Sequence, residues 1–136
     1  MIKSFTSTYG DPNDVIICIG DWEQIKHRKF KEPVKGKGLR SMFRKHGFIL
    51  LLVDEFRTSK MCSSCSHEDS VCEKFRWIDN PRPYRVGQLL CHGLVKCNTC
   101  STLWNRNVNA ACNIWKIAHC AINGVERPLH LQRRRA

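Results

Sequence analysis

The sequence has few acidic residues and no long apolar run. Asp and Glu together number 12 against 23 Lys and Arg, and the formal net charge is +11. This balance excludes an acidic disordered chain and favours a polyanionic partner, of which nucleic acid is the commonest. The longest apolar run is the six residues 48–53, far short of the roughly 20 that a membrane-spanning helix needs. We therefore expect no membrane partner.

A secretory signal is also missing, because residues 1–10 contain no apolar core. We expect an intracellular protein, and a nuclear one if its source is eukaryotic. Without export, the 9 cysteines indicate metal ligands and buried thiols rather than disulfides.

The positive charge is concentrated in two segments. Residues 26–45 carry nine basic residues and one acid, and the last ten residues carry four arginines and no acid. Phosphate contacts by such segments would weaken as salt rises. The predicted nucleic-acid contacts are basic side chains of these two segments: Lys26, Arg28, Lys29, Lys31, Lys35, Lys37, Arg40, Arg44, Lys45, Arg133, Arg134 and Arg135.

Two apolar runs flank part of the first basic segment. Residues 15–19 and 48–53 predict buried strands. Residues 39–46 predict a short helix that ends at Gly47. Strand, helix and strand in this order predict a βαβ-like unit whose two strands lie in one sheet.

The clearest helical pattern covers residues 105–123, with Asn as a capping residue at its start and Gly124 at its end. We expect its apolar stripe to face the core and His119, which lies on that stripe, to be partly buried. The stripe consists of Val108, Ala111, Cys112, Trp115, Ala118 and Ile122. The final residues are expected to be unstructured.

Four cysteines form two C-x-x-C pairs, Cys62 with Cys65 and Cys97 with Cys100. Two residues between cysteines let one tight turn present both sulfurs to one metal, and four thiolates suit tetrahedral Zn²⁺. The sequence therefore predicts one closed structural zinc site. The spacer of 31 residues between the pairs is longer than the usual 15–20 or so, which predicts an irregular or hairpin-shaped insertion.

Other residues between the two pairs remain alternative ligands. Cys91 ranks first among them, ahead of Cys72, His67 and His92. The remaining cysteines lie in apolar strand or helix patterns and are interpreted as small core residues. They are Cys18, Cys112 and Cys120.

Three carboxylates follow the predicted strands. Asp21 comes just after the first strand, and Asp54 and Glu55 end the second. Neighbours on a strand point to opposite faces, so only one of the last two can join a given site. Two-metal nucleases gather carboxylates from separate segments around Mg²⁺. Mg²⁺ is therefore expected only if the chain is catalytic.

Three strings taken together resemble a known family. They are TSKMCSSC at residues 58–65, CNTC at 97–100 and WNRNVNAACNI at 104–114. They resemble the C-terminal half of the RNA-guided nucleases TnpB and Fanzor. GDW at 20–22 and DEFRTS at 54–59 look more like Fanzor. The resemblance covers residues 13–122 and implies a RuvC-like, RNase H-type nuclease domain interrupted by a zinc ribbon that binds target nucleic acid.

The resemblance implies an α/β fold in four segments. Partial RuvC-like strands and a basic loop would occupy residues 1–57, and the zinc ribbon with its insertion residues 58–104. The RuvC-like C-terminal helix would occupy 105–124 and a basic tail 125–136.

The family's catalytic set is Asp, Glu and Asp. The resemblance places the Fanzor-type glutamate at Glu55 and the last aspartate at Asn107, where the side chain is a neutral amide. Asp21 lies near the TnpB position of the glutamate and is a weaker candidate. The first aspartate would lie upstream of this sequence.

We therefore expect a DNA-binding relic of a transposon-associated nuclease without cleavage of its own. Its expected partners are DNA and guide RNA, and another chain that supplies the rest of the nuclease. Two alternatives stay open. One is a residual Mg²⁺-dependent DNA endonuclease, and the other is a zinc-ribbon protein-interaction module.

Overall fold

The computed structural model describes residues 1–21, 36–74, 77–79, 84–91 and 93–133. The chain divides into two compact units, Met1–Asp54 and Glu55–Ala136, and each is described by itself. Helices and short sheets together confirm the expected small α/β fold. None of the helices in the described ranges has the length and apolar character needed to cross a membrane.

In chain order, the first unit contains α1 (Ile2–Tyr9), β1 (Ile16–Gly20), α2 (Gly36–Lys45) and β2 (Ile49–Val53). The two strands pair in parallel, with Ile16 opposite Ile49 and Gly20 opposite Val53. A parallel pair needs a crossover connection rather than a hairpin, and α2 lies in that connection. The predicted βαβ-like pairing is therefore confirmed.

The helix α1 was not predicted. Its sequence is rich in Ser and Thr, which have a low intrinsic helix propensity. Tertiary contacts stabilise it instead, because the Phe5 ring packs edge-on against Phe43 at 5.0 Å and Phe48 at 5.4 Å between ring centroids. Phe43 and Phe48 are both buried, and with Val53 they form the core of this unit.

The helix α2 is fixed by a glycine after its last turn and by a buried arginine in its middle. Gly47 follows it with a φ of 83°, a left-handed conformation that glycine adopts at little cost, as predicted. Arg40 is buried, and its Nη2 donates a hydrogen bond of 2.7 Å to the Gly20 carbonyl at the end of β1. Arg40 thus ties α2 to the sheet.

In chain order, the second unit contains β3 (Cys72–Lys74), β4 (Trp77–Asp79), β5 (Gln88–Leu90), β6 (Leu94–Cys97), β7 (Leu103–Asn105) and α3 (Arg106–Ile122). β6 is the central strand of an antiparallel sheet with β3 and β7 at its edges. β4 and β5 pair separately as an antiparallel hairpin. The long spacer between the two cysteine pairs thus contains a hairpin, one of the two forms expected.

Side chains alternate across the three-stranded sheet. Cys72 lies opposite Cys97 in the register of β3 and β6. These two cysteines and Val95 are buried together with Cys62 in one apolar cluster, against which Trp104 packs. The core of the second unit therefore coincides with the cysteine pairs.

The helix α3 begins and ends where the sequence predicts. Asn105 is its N-cap, and Asn105 Oδ1 accepts hydrogen bonds from the backbone amides of Asn107 and Val108 at 2.9 and 3.3 Å. Gly124 follows the helix with a φ of 66°. Both features satisfy backbone groups that a helix end would otherwise leave unpaired.

The segment after α3 was expected to be unstructured, and this expectation is wrong in part. Leu129–Leu131 forms a 3-10 turn, and Leu131 and His130 are 0% and 4% exposed. Arg133 lies over the Phe56 ring, 4.9 Å from its centroid. Burial and cation–π contact together hold this segment on the second unit.

Candidate metal centre

The four cysteines of the two C-x-x-C pairs converge on one point. Their Sγ atoms all lie within 4.8 Å of one another. The Sγ–Sγ distance is 3.8 Å both between Cys62 and Cys100 and between Cys65 and Cys97. Four sulfurs about 2.3 Å from a central Zn²⁺ would form a tetrahedron with edges of about 3.8 Å. The residues therefore fit a tetrahedral metal ion such as zinc.

Each pair sits on a tight turn with the same ending. Ser66 follows Cys65 and Ser101 follows Cys100, and both serines have a φ of 57°. Non-glycine residues adopt this left-handed conformation only where the surroundings enforce it. In the second pair, the amides of Thr99 and Cys100 point at Cys97 Sγ at 3.4 and 3.5 Å. Such amide donors stabilise a thiolate.

Hydrogen bonds shift the pKa values of Cys62, Cys65 and Cys100 in different directions. The Thr102 hydroxyl, 3.1 Å from Cys100 Sγ, lowers the pKa of Cys100 to about 6. The hydrogen bond to Cys100 raises the pKa of Cys65 to about 12. Burial raises the pKa of Cys62, but hydrogen bonds, including one of 3.4 Å from the Trp104 indole, outweigh it and lower the pKa overall. A metal ion that binds the four sulfurs would displace the remaining thiol protons to solvent.

The alternative ligands lie outside this group. Within the described part of the chain, the four cysteines are the only cluster of three or more Cys, His, Asp or Glu side chains with metal-ligand geometry. Cys91 and His67 are not members, and His92 lies outside the described residues. Cys72 is buried beside the group. Its burial, and to a smaller extent the negative charge of the Cys62 thiolate, raise the pKa of Cys72 to about 12.

Two asparagines of α3 bind the chain just before the first cysteine pair. Asn109 and Asn113 are fully buried, and the Nδ2 of each donates a hydrogen bond of 2.8 Å to the Met61 carbonyl. Asn113 Nδ2 also reaches the Thr58 carbonyl at 2.8 Å. Asn109 Oδ1 accepts from the Ser63 amide at 2.9 Å. These bonds fix α3 to the first cysteine turn.

A lysine on the same face of α3 completes this attachment. Lys116 Nζ donates to the Ser63 carbonyl and, at 2.6 Å, to Ser66 Oγ. Lys116 therefore binds the cysteine turn at both of its ends. The positively charged ammonium group of Lys116 is therefore bound to the first cysteine turn, whose thiolates would carry negative charge.

The orientation of α3 differs from the expected one. Of the apolar stripe, Ala118 is buried as predicted, but Val108, Trp115 and Ile122 are 52%, 62% and 57% exposed. Asn109 and Asn113 are buried instead. His119 is exposed rather than partly buried, and its ring lies 5.1 Å from the Trp115 ring. The carbonyls of the cysteine turn need hydrogen-bond donors, and the asparagine face supplies them. Two asparagines four residues apart inside a predicted helix were the sequence signal for this buried polar face.

The candidate catalytic residues are divided between the two units. The Asp21 amide donates to the Val53 carbonyl at 2.9 Å, so Asp21 lies beside the end of β2 in the first unit. Glu55 and Asn107 belong to the second unit, and both are exposed. Asn107 lies in the first turn of α3. No cluster of three carboxylates with metal-ligand geometry occurs in the ranges that the structure describes.

The predicted basic contacts are distributed over described and undescribed parts of the chain. Lys37, Arg44 and Lys45 line an open groove of about 610 Å³ between α2 and β2. Arg40 also lines it, although its guanidinium binds Gly20. The remaining predicted contacts, apart from Arg133, lie outside the described residues: Lys26, Arg28, Lys29, Lys31, Lys35, Arg134 and Arg135.

Comparison with protein-family models gives a match over more than half of the chain. Residues 37–114 match the family model described as Cas12f1-like, TNB domain. The match covers α2, β2, both cysteine pairs, the sheet of the second unit and the first half of α3. No curated protein matches the chain.

Replacing Asn109 and Asn113 by Ala should destabilise the second unit. Asn109→Ala leaves the Ser63 amide without this partner, and the double replacement also removes the donors to the Met61 and Thr58 carbonyls. Each buried group left unpaired costs about 1–3 kcal/mol. Urea unfolding followed by circular dichroism measures the loss in the free energy of unfolding. Asn107→Ala, an exposed amide on the same helix, is the matched control and should change stability by less than about 0.5 kcal/mol. Equal effects at all three positions would contradict the assigned role of the buried amides.

Proposed function

Because the chain belongs to the Cas12f1-like TNB-domain family, we propose that it is a nucleic-acid-binding protein of the TnpB type whose second unit is a zinc ribbon. The observation that carries the proposal is the tetrahedral grouping of Cys62, Cys65, Cys97 and Cys100 within the segment that matches the family. A Zn²⁺ ion held by four thiolates has no open coordination position for a substrate, so its role is structural.

The charge of the chain supports nucleic acid as the partner. The net charge is +11, and the groove beside α2 is lined by Lys37, Arg40, Arg44 and Lys45. The helix α2 contains no acidic residue. Lysine and arginine on such a surface neutralise phosphates and release counterions. We propose DNA as the principal partner, with guide RNA and a further chain of the same nuclease as additional ones inside the cell.

The first unit supports a RuvC-like origin. Its parallel β1–β2 pair with α2 in the connection is the arrangement expected for part of an RNase H-type sheet. We further propose Fanzor-type ancestry, from the strings GDW and DEFRTS. Both assignments go beyond the family match and depend on the resemblance.

We propose that the chain has no cleavage activity of its own. The family's last catalytic aspartate corresponds to Asn107, which offers an amide oxygen but no negative charge to a Mg²⁺ ion. Two-metal cleavage needs several carboxylates around the ions. Glu55 and Asp21 are the remaining acidic candidates.

One Zn²⁺ per chain is the first expected result. Metal analysis of the purified protein should give a ratio of one, and Cys62→Ser with Cys97→Ser should abolish binding and unfold the second unit. Cys112→Ser with Cys120→Ser removes two thiols outside the group and is the control. A protein without metal, or one whose fold survives the first pair of substitutions, would contradict the zinc ribbon.

DNA binding should weaken steeply with salt, because each neutralised phosphate contributes about −0.9 to the slope of log K against log salt. Fluorescence anisotropy with labelled duplex DNA between 50 and 200 mM salt, roughly the range in which such contacts are lost, measures that slope. Absence of binding at the lowest salt would instead favour the zinc-ribbon protein-interaction module.

Incubation with Mg²⁺ and DNA should give no cleavage products. Asn107→Asp alone should not restore cleavage, since one added carboxylate does not complete the family's set of three. Cleavage that Glu55→Ala abolishes would contradict the proposal and support the residual endonuclease. Gel analysis of a labelled duplex distinguishes these outcomes.

A further inference from the structure

We propose that a pocket on the zinc ribbon, lined by Lys60, Lys74 and Arg106, binds a backbone phosphate of DNA. This inference rests on the nucleic-acid-binding function proposed above and gives it a specific site. The pocket belongs entirely to the second unit. It is separate from the basic groove beside α2 and uses none of the basic residues that the sequence predicts as nucleic-acid contacts.

The pocket has a volume of about 420 Å³, and its lining residues are Ser59, Lys60, Cys72, Lys74, Val95 and Arg106. Three of the six are cations, and none of these lining residues is acidic. All three cations are exposed, so their charged groups are accessible to a large polyanion. Such a grouping attracts phosphate oxygens, which accept charge-assisted hydrogen bonds from ammonium and guanidinium groups.

The backbone of the ribbon fixes the positions of all three cations. The Lys60 carbonyl accepts a hydrogen bond of 2.7 Å from the Cys72 amide. Lys74 lies opposite Val95 in the register of β3 and β6, and the Arg106 amide donates to the Gly93 carbonyl at 2.9 Å. The three residues come from three separate segments, so the pocket exists only when the ribbon is folded.

The floor of the pocket is buried and apolar. Cys72 and Val95 are buried in the same cluster as Cys62 and Cys97. The backbone segments that carry the cations are thus placed before a ligand arrives, and a preorganised site loses less entropy when a ligand binds. Ser59, at the rim, adds a hydroxyl that can donate to a phosphate oxygen.

The position of Arg106 is unfavourable in the free protein. Arg106 is the first residue of the 17-residue helix α3, and the first turn of that helix contains no acid. The helix dipole places positive charge at this end, where an anionic side chain would be stabilising and a cation is not. Asn105 already caps two of the amides there. The ligand-binding groups are therefore side chains, and a bound phosphate would place negative charge at this helix end, where the dipole favours it.

The test compares two triple variants of the metal-loaded full-length chain. Lys60→Gln with Lys74→Gln and Arg106→Gln removes the pocket cations. Lys3→Gln with Arg85→Gln and Lys96→Gln removes three exposed cations outside the pocket and is matched in charge. Lys96 is a close control, because it follows Val95 on β6 and points to the opposite face of the sheet. Zinc content and circular dichroism confirm that each variant is folded.

Labelled duplex DNA is the probe, over a salt series. The pocket variant should lower the magnitude of the slope of log K against log salt by about one, because the pocket neutralises one phosphate. Its affinity at low salt should fall at least about tenfold, whereas the control should lose no more than about threefold. Arg106→Lys, which keeps the charge, should retain most of the slope.

Equal losses in the two triple variants would overturn the pocket, since charge alone would then explain the effect. Unchanged binding by the pocket variant would overturn the pocket and leave the proposed function intact. Failure of the unsubstituted chain to bind DNA would overturn both. Inorganic phosphate that displaces DNA more strongly than sulfate at equal ionic strength would assign the pocket to a free phosphate ion instead, and would overturn the DNA assignment.

Discussion

The structure of the second unit depends on four sulfur atoms held in mutual contact. Four thiolates within 4.8 Å of one another would repel one another unless protons or a cation compensated their charge. A divalent metal ion does so while replacing the protons. The strands around the cysteines are only three or four residues long, and strands so short seldom form a stable sheet alone. A metal ion bound by the four cysteines would take the place of a larger apolar core.

The orientation of α3 follows from the same constraint. A tight cysteine turn leaves the Met61 and Thr58 carbonyls pointing inward, and a buried carbonyl without a donor is costly. Asn109 and Asn113 supply the donors, so a polar face of the helix is buried. Several side chains of the apolar stripe, Trp115 among them, are consequently exposed, although Ala118 of the stripe is buried. The need of the turn carbonyls for hydrogen-bond donors therefore outweighs the tendency of the helix to bury its apolar side chains.

Local signals in the sequence were sufficient for part of this account. The C-x-x-C spacing identified the four cysteines, and Gly47, Gly124 and Asn105 marked the helix ends, because these features depend only on neighbouring residues. Strand, helix and strand likewise predicted the parallel pair. The match to the Cas12f1-like TNB family agrees with the resemblance to TnpB at this coarser level.

Other features depend on contacts between distant residues, which one sequence does not display. The helix α1 is stabilised by the Phe5 contacts with residues far along the chain, against its weak propensity. Periodicity shows which residues of α3 share a face, but it does not show which face is buried. The cations Lys60, Lys74 and Arg106 come together only through the strand register, so counting charge along the sequence overlooked them.

Amide hydrogen exchange tests most directly whether the metal centre holds the second unit together. The metal-loaded protein would be compared with the same protein after chelation. If the centre fixes the first cysteine turn and the turn fixes α3, chelation should remove protection from both cysteine pairs and from residues 109–117 of α3 together. The first unit should keep its protection. Undiminished protection in α3 after complete removal of the metal would contradict the account.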